Sequence, residues 1–129
     1  MKIAFVDGPW PGHGHRTQRW AHKNPGGNIN PPPLFQMYAA AIARQQGFGV
    51  KLWDAPASGI DFQELIEQIK EYNPQIVVVN TSTPSFEHDL KLIRMIKEAC
   101  LVESCLVKSC LVRVYSKIRK DRRQKGEYF

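Results

Sequence analysis

The chain has 129 residues, the length of one domain and enough to bury about two-thirds of the surface that its unfolded form exposes. Its 43% hydrophobic and 23% charged residues are typical of a soluble globular protein, and no apolar run approaches the roughly 20 residues that cross a bilayer. The net charge of +6 comes mainly from residues 100–129, with eight Lys/Arg against three Asp/Glu, so the charge does not indicate a basic nucleic-acid-binding face on the folded part.

Three apolar segments predict β-strands. They are KIAFVD at residues 2–7, GVKLWDAP at residues 49–56 and PQIVVVN at residues 74–80. The start MKIAFVDGP is interrupted too soon to be a signal peptide, so we expect a cytoplasmic protein with no membrane segment.

Helical patterns follow each strand. The first has an apolar stripe and ends at Gly47, the second begins with the capping pair Asp61 and Glu64, and the third begins with Thr83 as N-cap and Pro84 in the first turn. The residues expected to face inward on the first and third helices are Leu34, Met37, Tyr38, Ala41, Ile42, Phe86, Leu90, Ile93 and Ile96.

Alternating strands and helices predict an α/β fold with a parallel sheet and right-handed crossovers. Lys51 lies between Val50 and Leu52, so the second strand suits a sheet edge, whereas the first and third strands are apolar enough to be covered on both faces. This predicts a flavodoxin/Rossmann-like strand order of 2-1-3. The sheet is incomplete, because no clear fourth and fifth strands follow.

After Ala99 the units CLVES, CLVKS and CLVRV repeat every five residues, a period that gives neither a helix nor a strand one buried face. We therefore expect an α/β domain at residues 1–99, cut short, and a separate repeat and basic tail at residues 100–129. The repeat can pair in part as a fourth strand, because the third strand would otherwise be a bare apolar edge. Self-association through that strand is the other way to cover it. The three cysteines are an odd number and do not indicate a secreted disulfide framework.

Two unusual loops follow the first and third strands. Residues 7–33 form a connection far longer than usual, rich in Pro and Gly, and residues 80–85 read NTSTPS. In an open parallel sheet, ligands bind beyond the carboxyl ends of the strands at the point where the strand order reverses. Both loops are therefore expected to meet at one edge of the sheet and to form a ligand site.

The layout KIAFVDGP, PPPLFQMYAAAIARQQGFGVKLWDA and PQIVVVNTSTPSFEHDLKLIRMIKEA resembles the N-terminal cobalamin-binding domain of cobalamin-dependent radical S-adenosylmethionine enzymes. The resemblance covers residues 1 to about 99 and implies that this chain binds cobalamin. The cofactor contacts that it implies are Pro9, Trp10, Gly12, Asn80, Thr81, Ser82, Thr83 and Ser85.

The chain departs from related cobalamin domains in two places. Where a cobalt-ligating histidine stands in the motif D-x-H-x-x-G, this chain has Pro9, so the resemblance implies a corrin held without a protein histidine. The motif C-x-x-x-C-x-x-C is absent, so neither an iron–sulfur cluster nor S-adenosylmethionine is expected on this chain. Any catalysis would require a separate radical-enzyme barrel domain as partner, and we expect no catalysis by this chain alone.

Other interpretations remain open. Residues 80–83 can be a polar turn and helix cap in any fold, and a nucleotide-binding or receiver-like module is less favoured because the third strand ends in Asn80 rather than a carboxylate. A non-catalytic fragment could bind nucleic acid or acidic lipids through residues 117–125. His13, His15 and His22 in the long loop do not form a recognisable metal motif, and His88 is expected to face solvent.

Overall fold

A computed structural model describes the backbone of residues 1–10, 14–16, 21–23, 31–100 and 104–108, and the side chains of residues 1–10 and 31–100. The strands in chain order are β1 (Lys2–Asp7), β2 (Gly14–Arg16), β3 (Ala21–Lys23), β4 (Gly49–Asp54), β5 (Ile76–Asn80) and β6 (Ser104–Lys108). The helices are α1 (Leu34–Gln45), α2 (Ala55–Ser58), α3 (Phe62–Tyr72) and α4 (Phe86–Ala99), and a 3-10 turn at Thr83–Ser85 precedes α4.

The main sheet is parallel, with strand order β4-β1-β5-β6. The first three of these strands confirm the predicted α/β fold and the 2-1-3 order. β6 lies in the five-residue repeat and pairs with the free side of β5, which confirms the partial pairing expected of that segment. β2 and β3 form a separate antiparallel pair inside the long connection after β1.

The two faces of the main sheet are covered by different helices. α3 and α4 pack on the face that includes Ala4, Val6, Val77 and Val79, all of which are fully buried. α1 packs on the other face through Ala40 against Ile3 and Phe5. The described residues therefore form a three-layer α/β arrangement with a larger core on the α3/α4 side.

The caps of α3 follow the sequence pattern. The side chain of Asp61 accepts a hydrogen bond of 2.9 Å from the backbone N–H of Glu64, and Asn73 ends the helix in the left-handed conformation with φ of 52°. α2 was not predicted. Asp54 caps this short helix by accepting a hydrogen bond of 3.1 Å from the backbone N–H of Ala57.

The buried face of α1 differs from the predicted one. Gln36 and Ala40 are buried, whereas Leu34, Met37, Tyr38, Ala41 and Ile42, expected to face inward, are exposed. α1 is apolar around most of its circumference, so periodicity does not identify the side that contacts the sheet. The small side chains of Ala39, Ala40 and Ala43 allow close approach to the sheet, and this decides the orientation.

The start of the last helix is also corrected. Ser82 is the N-cap of the 3-10 turn and Ser85 is the N-cap of α4, so Thr83 caps neither of them. Thr83 and Pro84 lie in the turn and are exposed. Ile93 and Ile96 are buried as predicted, and Phe86 and Leu90 are partly buried. None of the helices in the described part of the chain combines the length and apolarity that a bilayer crossing requires.

Candidate functional site at the carboxyl edge of the sheet

Four polar residues end neighbouring strands of the main sheet. Asp54 and Asn80 are the register partners of Asp7 on either side, and Lys108 occupies the next position of the same row. Alternate residues of a strand share a face, so this row lies on the face of Ile3 and Phe5 that α1 covers. Polar residues from four strand ends therefore occupy one row at this edge.

The Asp7 carboxylate is only 4% exposed. Its Oδ1 accepts a hydrogen bond of 3.3 Å from Nδ2 of Asn80, which joins the ends of β1 and β5. Burial raises the pKa of the neighbouring Asp54 carboxyl, and the hydrogen bond from the Ala57 backbone N–H opposes that rise. Desolvation is the stronger influence on Asp54.

Gln36 places an amide at the same edge. Its Nε2 donates a hydrogen bond of 3.0 Å to the backbone carbonyl of Val6, next to Asp7, and the side chain is 1% exposed. A backbone carbonyl only accepts hydrogen bonds, so the amide atom of Gln36 that faces Val6 is the nitrogen Nε2. The other amide atom is therefore the acceptor Oε1. Oε1 has no hydrogen-bond partner in the described part of the chain. A buried side-chain acceptor of this kind is uncommon in folded proteins.

The turn after β5 contains a compact hydroxyl network. Ser82 and Ser85 form a capping box in which their Oγ atoms are 2.7 Å apart and the Ser82 N–H donates to Ser85 Oγ at 3.1 Å. Ser85 Oγ also donates to Oδ2 of the buried Asp89 at 2.5 Å. Two of the predicted contact residues thus use their hydroxyls to cap the helix and to hold a buried carboxylate.

The other predicted contact residues differ in accessibility. Thr81 is buried, with Oγ1 3.4 Å from the Ser82 carbonyl, whereas Thr83 is exposed and Asn80 is partly buried. Pro9 and Trp10 are partly buried. Gly12 lies outside the described residues, as do residues 109–129 with their basic cluster and the side chains of His13, His15 and His22.

The sequence led us to expect that His88 faces solvent, but in the structure its ring makes two contacts. It is partly buried, its Nε2 lies 3.0 Å from the Pro9 carbonyl, and its ring centroid lies 4.6 Å from that of Phe62. Because the carbonyl only accepts, Nε2 carries the proton in this contact. His88 therefore fastens the loop after β1 to α4.

These contacts bring the two unusual loops together. Asp7 and Asn80 join their first residues, and His88 binds Pro9. The backbone of β3, inside the long loop, lies next to the 3-10 turn at Thr83–Ser85, within 8 Å between Cα atoms. The expected meeting of the Pro-rich loop and the hydroxyl-rich turn at the carboxyl edge is confirmed.

Sequence reasoning did not identify Gln36 or Asp89 as parts of this edge. A signal for Gln36 was present, because it is the only polar residue in the stretch LFQMYAAAIA at the start of α1. No comparable sequence signal pointed to Asp89, because α4 carries charged residues at several positions and Asp89 does not stand out among them. Among the side chains that the structure describes, no group of three or more His, Cys, Asp or Glu is placed to hold a metal ion.

Comparison with protein families, characterised proteins and solved structures finds no match to this chain. The architecture is nonetheless clear: a parallel α/β sheet with a flavodoxin-like 2-1-3 arrangement of its first three strands, and a polar edge where two loops meet.

Proposed function

We propose that this chain is a cobalamin-binding module that holds the corrin at the carboxyl edge of the sheet without a protein histidine below the cobalt. The observation that carries the proposal is the meeting of the Pro-rich loop and the 80–85 turn at this edge, through Asp7 with Asn80 and Pro9 with His88. Ligands of open parallel sheets bind at such an edge, where the strand order reverses.

The chemistry of the edge suits the periphery of a corrin. Corrin side chains end in amides, which donate and accept hydrogen bonds, and the buried Oε1 of Gln36 is an acceptor without a donor among the described residues. Trp10 is partly exposed and offers an apolar ring beside Pro9, a surface on which a flat macrocycle can rest.

The residues of this edge have two roles: some bind the cofactor and others support the shape of the turn. Pro9, Trp10, Asn80 and Thr83 present accessible surface for the cofactor, and Gln36 adds a buried acceptor. The hydroxyls of Ser82 and Ser85 hold the shape of the turn. Bound cobalamin would supply a cobalt centre able to carry a methyl group, and the role of this chain would be to bind and orient it.

The test is a titration of the full chain with hydroxocobalamin, followed by gel filtration and an absorption spectrum of the protein fraction. We expect the corrin spectrum to co-elute with the protein. Asn80→Ala should weaken retention several-fold, up to about tenfold, which is the effect of losing one hydrogen bond.

The matched control is Lys70→Ala, an exposed position in the last turn of α3 at the opposite edge of the sheet, which should leave retention unchanged. Elution of the protein without corrin would refute the proposal. Equal loss of retention in the two variants would show that binding takes place elsewhere on the chain.

A further inference from the structure

The outer face of α1 is apolar and exposed. Five large side chains of this 12-residue helix are accessible to solvent: Leu34 at 51%, Phe35 at 49%, Met37 at 45%, Tyr38 at 65% and Ile42 at 61%. On the described residues, Met1 is the only other large hydrophobic side chain exposed to this extent. The exposed apolar surface of the described chain is therefore concentrated on one helix.

The same helix buries its polar residue. Gln36 is 1% exposed and faces the sheet, and the polar residues accessible on α1 are Arg44 and Gln45 in its last turn. A helix that is apolar on all sides is normally buried on all sides. α1 thus has the composition of a helix enclosed between two layers, but among the described residues only the sheet forms such a layer.

The exposed side chains form one patch. At 100° per residue, Leu34, Tyr38 and Ile42 follow one another along the outer face, with Phe35 and Met37 on its flanks. An exposure of 45–65% for each of the five residues amounts to roughly 400–600 Å² in total, the upper end of what single soluble proteins expose without a partner.

We propose that a second copy of this chain covers this patch, with the two α1 helices packed antiparallel about a two-fold axis. Such an interface is self-complementary, and burial of the patch on both copies removes roughly 1,000 Å² from water, the lower limit for a specific interface. An interface of this size is expected to give a weak dimer, which forms as the protein concentration rises and dissociates as it falls. The exposed Ala41, near the centre of the patch, allows close approach of the two helices.

The charge on α1 selects the antiparallel arrangement. Arg44 is the only charged residue of the helix and lies in its last turn. A parallel pair would bring two Arg44 side chains together at one end, whereas an antiparallel pair separates them by nearly the length of a 12-residue helix, about 18 Å. Like charges are thereby kept apart and the two helix dipoles oppose each other.

The strand edge is a less suitable surface for association. β5 is paired on both sides, with β1 and with β6, so association through β5 would require displacement of β6. The helix patch needs no such rearrangement.

The experiment measures the mass of the full chain by sedimentation velocity across a wide range of protein concentration. We expect a shift from monomer to dimer in the wild-type chain. The double variant Tyr38→Lys, Ile42→Lys should weaken association by at least about tenfold, since it places charges at the centre of the interface. Both positions are exposed in the single chain, so the helical circular dichroism should be unchanged.

The matched control is Gln63→Lys, which adds a positive charge to an exposed position of α3 on the opposite face of the sheet and should leave the dimer intact. A wild-type chain that stays monomeric at every concentration overturns the proposal. If the wild-type chain is monomeric and trypsin cleaves the double variant faster than the wild type within residues 109–129, the chain's own tail occupies the patch. A dimer that survives the double variant also overturns the proposal and assigns association to a sheet edge.

Discussion

Ser85 connects three groups in the turn after β5. Its hydroxyl donates to the buried carboxylate of Asp89 and accepts from the Ser82 backbone N–H, and it also lies against the Ser82 hydroxyl. All three residues are at most 1% exposed, so water does not readily replace a lost partner. A buried group left without its hydrogen bond destabilises the folded state more than an exposed one.

Ser85→Ala is therefore expected to lower the free energy of unfolding by about 1–3 kcal/mol. The measurement is a urea unfolding curve followed by circular dichroism. Thr83→Ala, two residues earlier at an exposed position of the same turn, is the control and should change stability by less than about 0.5 kcal/mol. Equal effects of the two substitutions would mean that the network does not stabilise the turn.

At the scale of the element, α1 shows the limit of a periodic pattern. Its position and its end at Gly47 follow from the sequence, because helix formation and left-handed caps are local properties. The face that it buries does not, because apolar residues surround most of the helix and the closest packing on Ile3 and Phe5 is achieved through alanines. Tertiary packing selected the face with the smallest side chains.

Gly47 ends α1 with φ of 82°, and a Cβ added there would meet no atom within 4 Å. Gly47→Ala should therefore lower the free energy of unfolding by about 1–2 kcal/mol through backbone conformation alone. Thermal unfolding of this variant is compared with that of Gln46→Ala, an exposed neighbour with φ of −81°. If Gly47→Ala is no less stable than Gln46→Ala, the left-handed cap is not needed to end the helix.

At the scale of the whole molecule, β6 completes the sheet. It pairs with β5 over Ile76–Asn80, so that β5 becomes an inner strand rather than an exposed apolar edge. The five-residue repeat has no periodicity that would specify this strand. Pairing with the otherwise unpaired edge of β5 nevertheless places five residues of the repeat in the sheet.

Removal of β6 should consequently destabilise the fold and promote association. A chain ending at Cys100 is expected to unfold at lower urea concentration and to scatter more light on standing, because the edge of β5 is then exposed. A chain ending at Cys110 keeps β6, loses the basic tail and should resemble the full chain. Identical behaviour of the two shortened chains would show that β6 contributes nothing to the sheet.

The polar edge was predictable in outline and not in detail. That Asp7 and Asn80 would lie close together follows from their positions at the ends of adjacent parallel strands. The contacts of Gln36 with Val6 and of His88 with Pro9 each join residues 30 or more positions apart, and no local pattern encodes them.

The sequence by itself determined β1, β4 and β5, their 2-1-3 order and the cap of α3, because these depend on apolar runs, crossover handedness and residues three or four positions apart. Tertiary structure alone decided which side of α1 meets the sheet, that Ser85 holds Asp89, and which five residues of the repeat pair as β6. Each of these depends on the shape and spare hydrogen-bonding groups of a distant surface, which exist only after the sheet has formed.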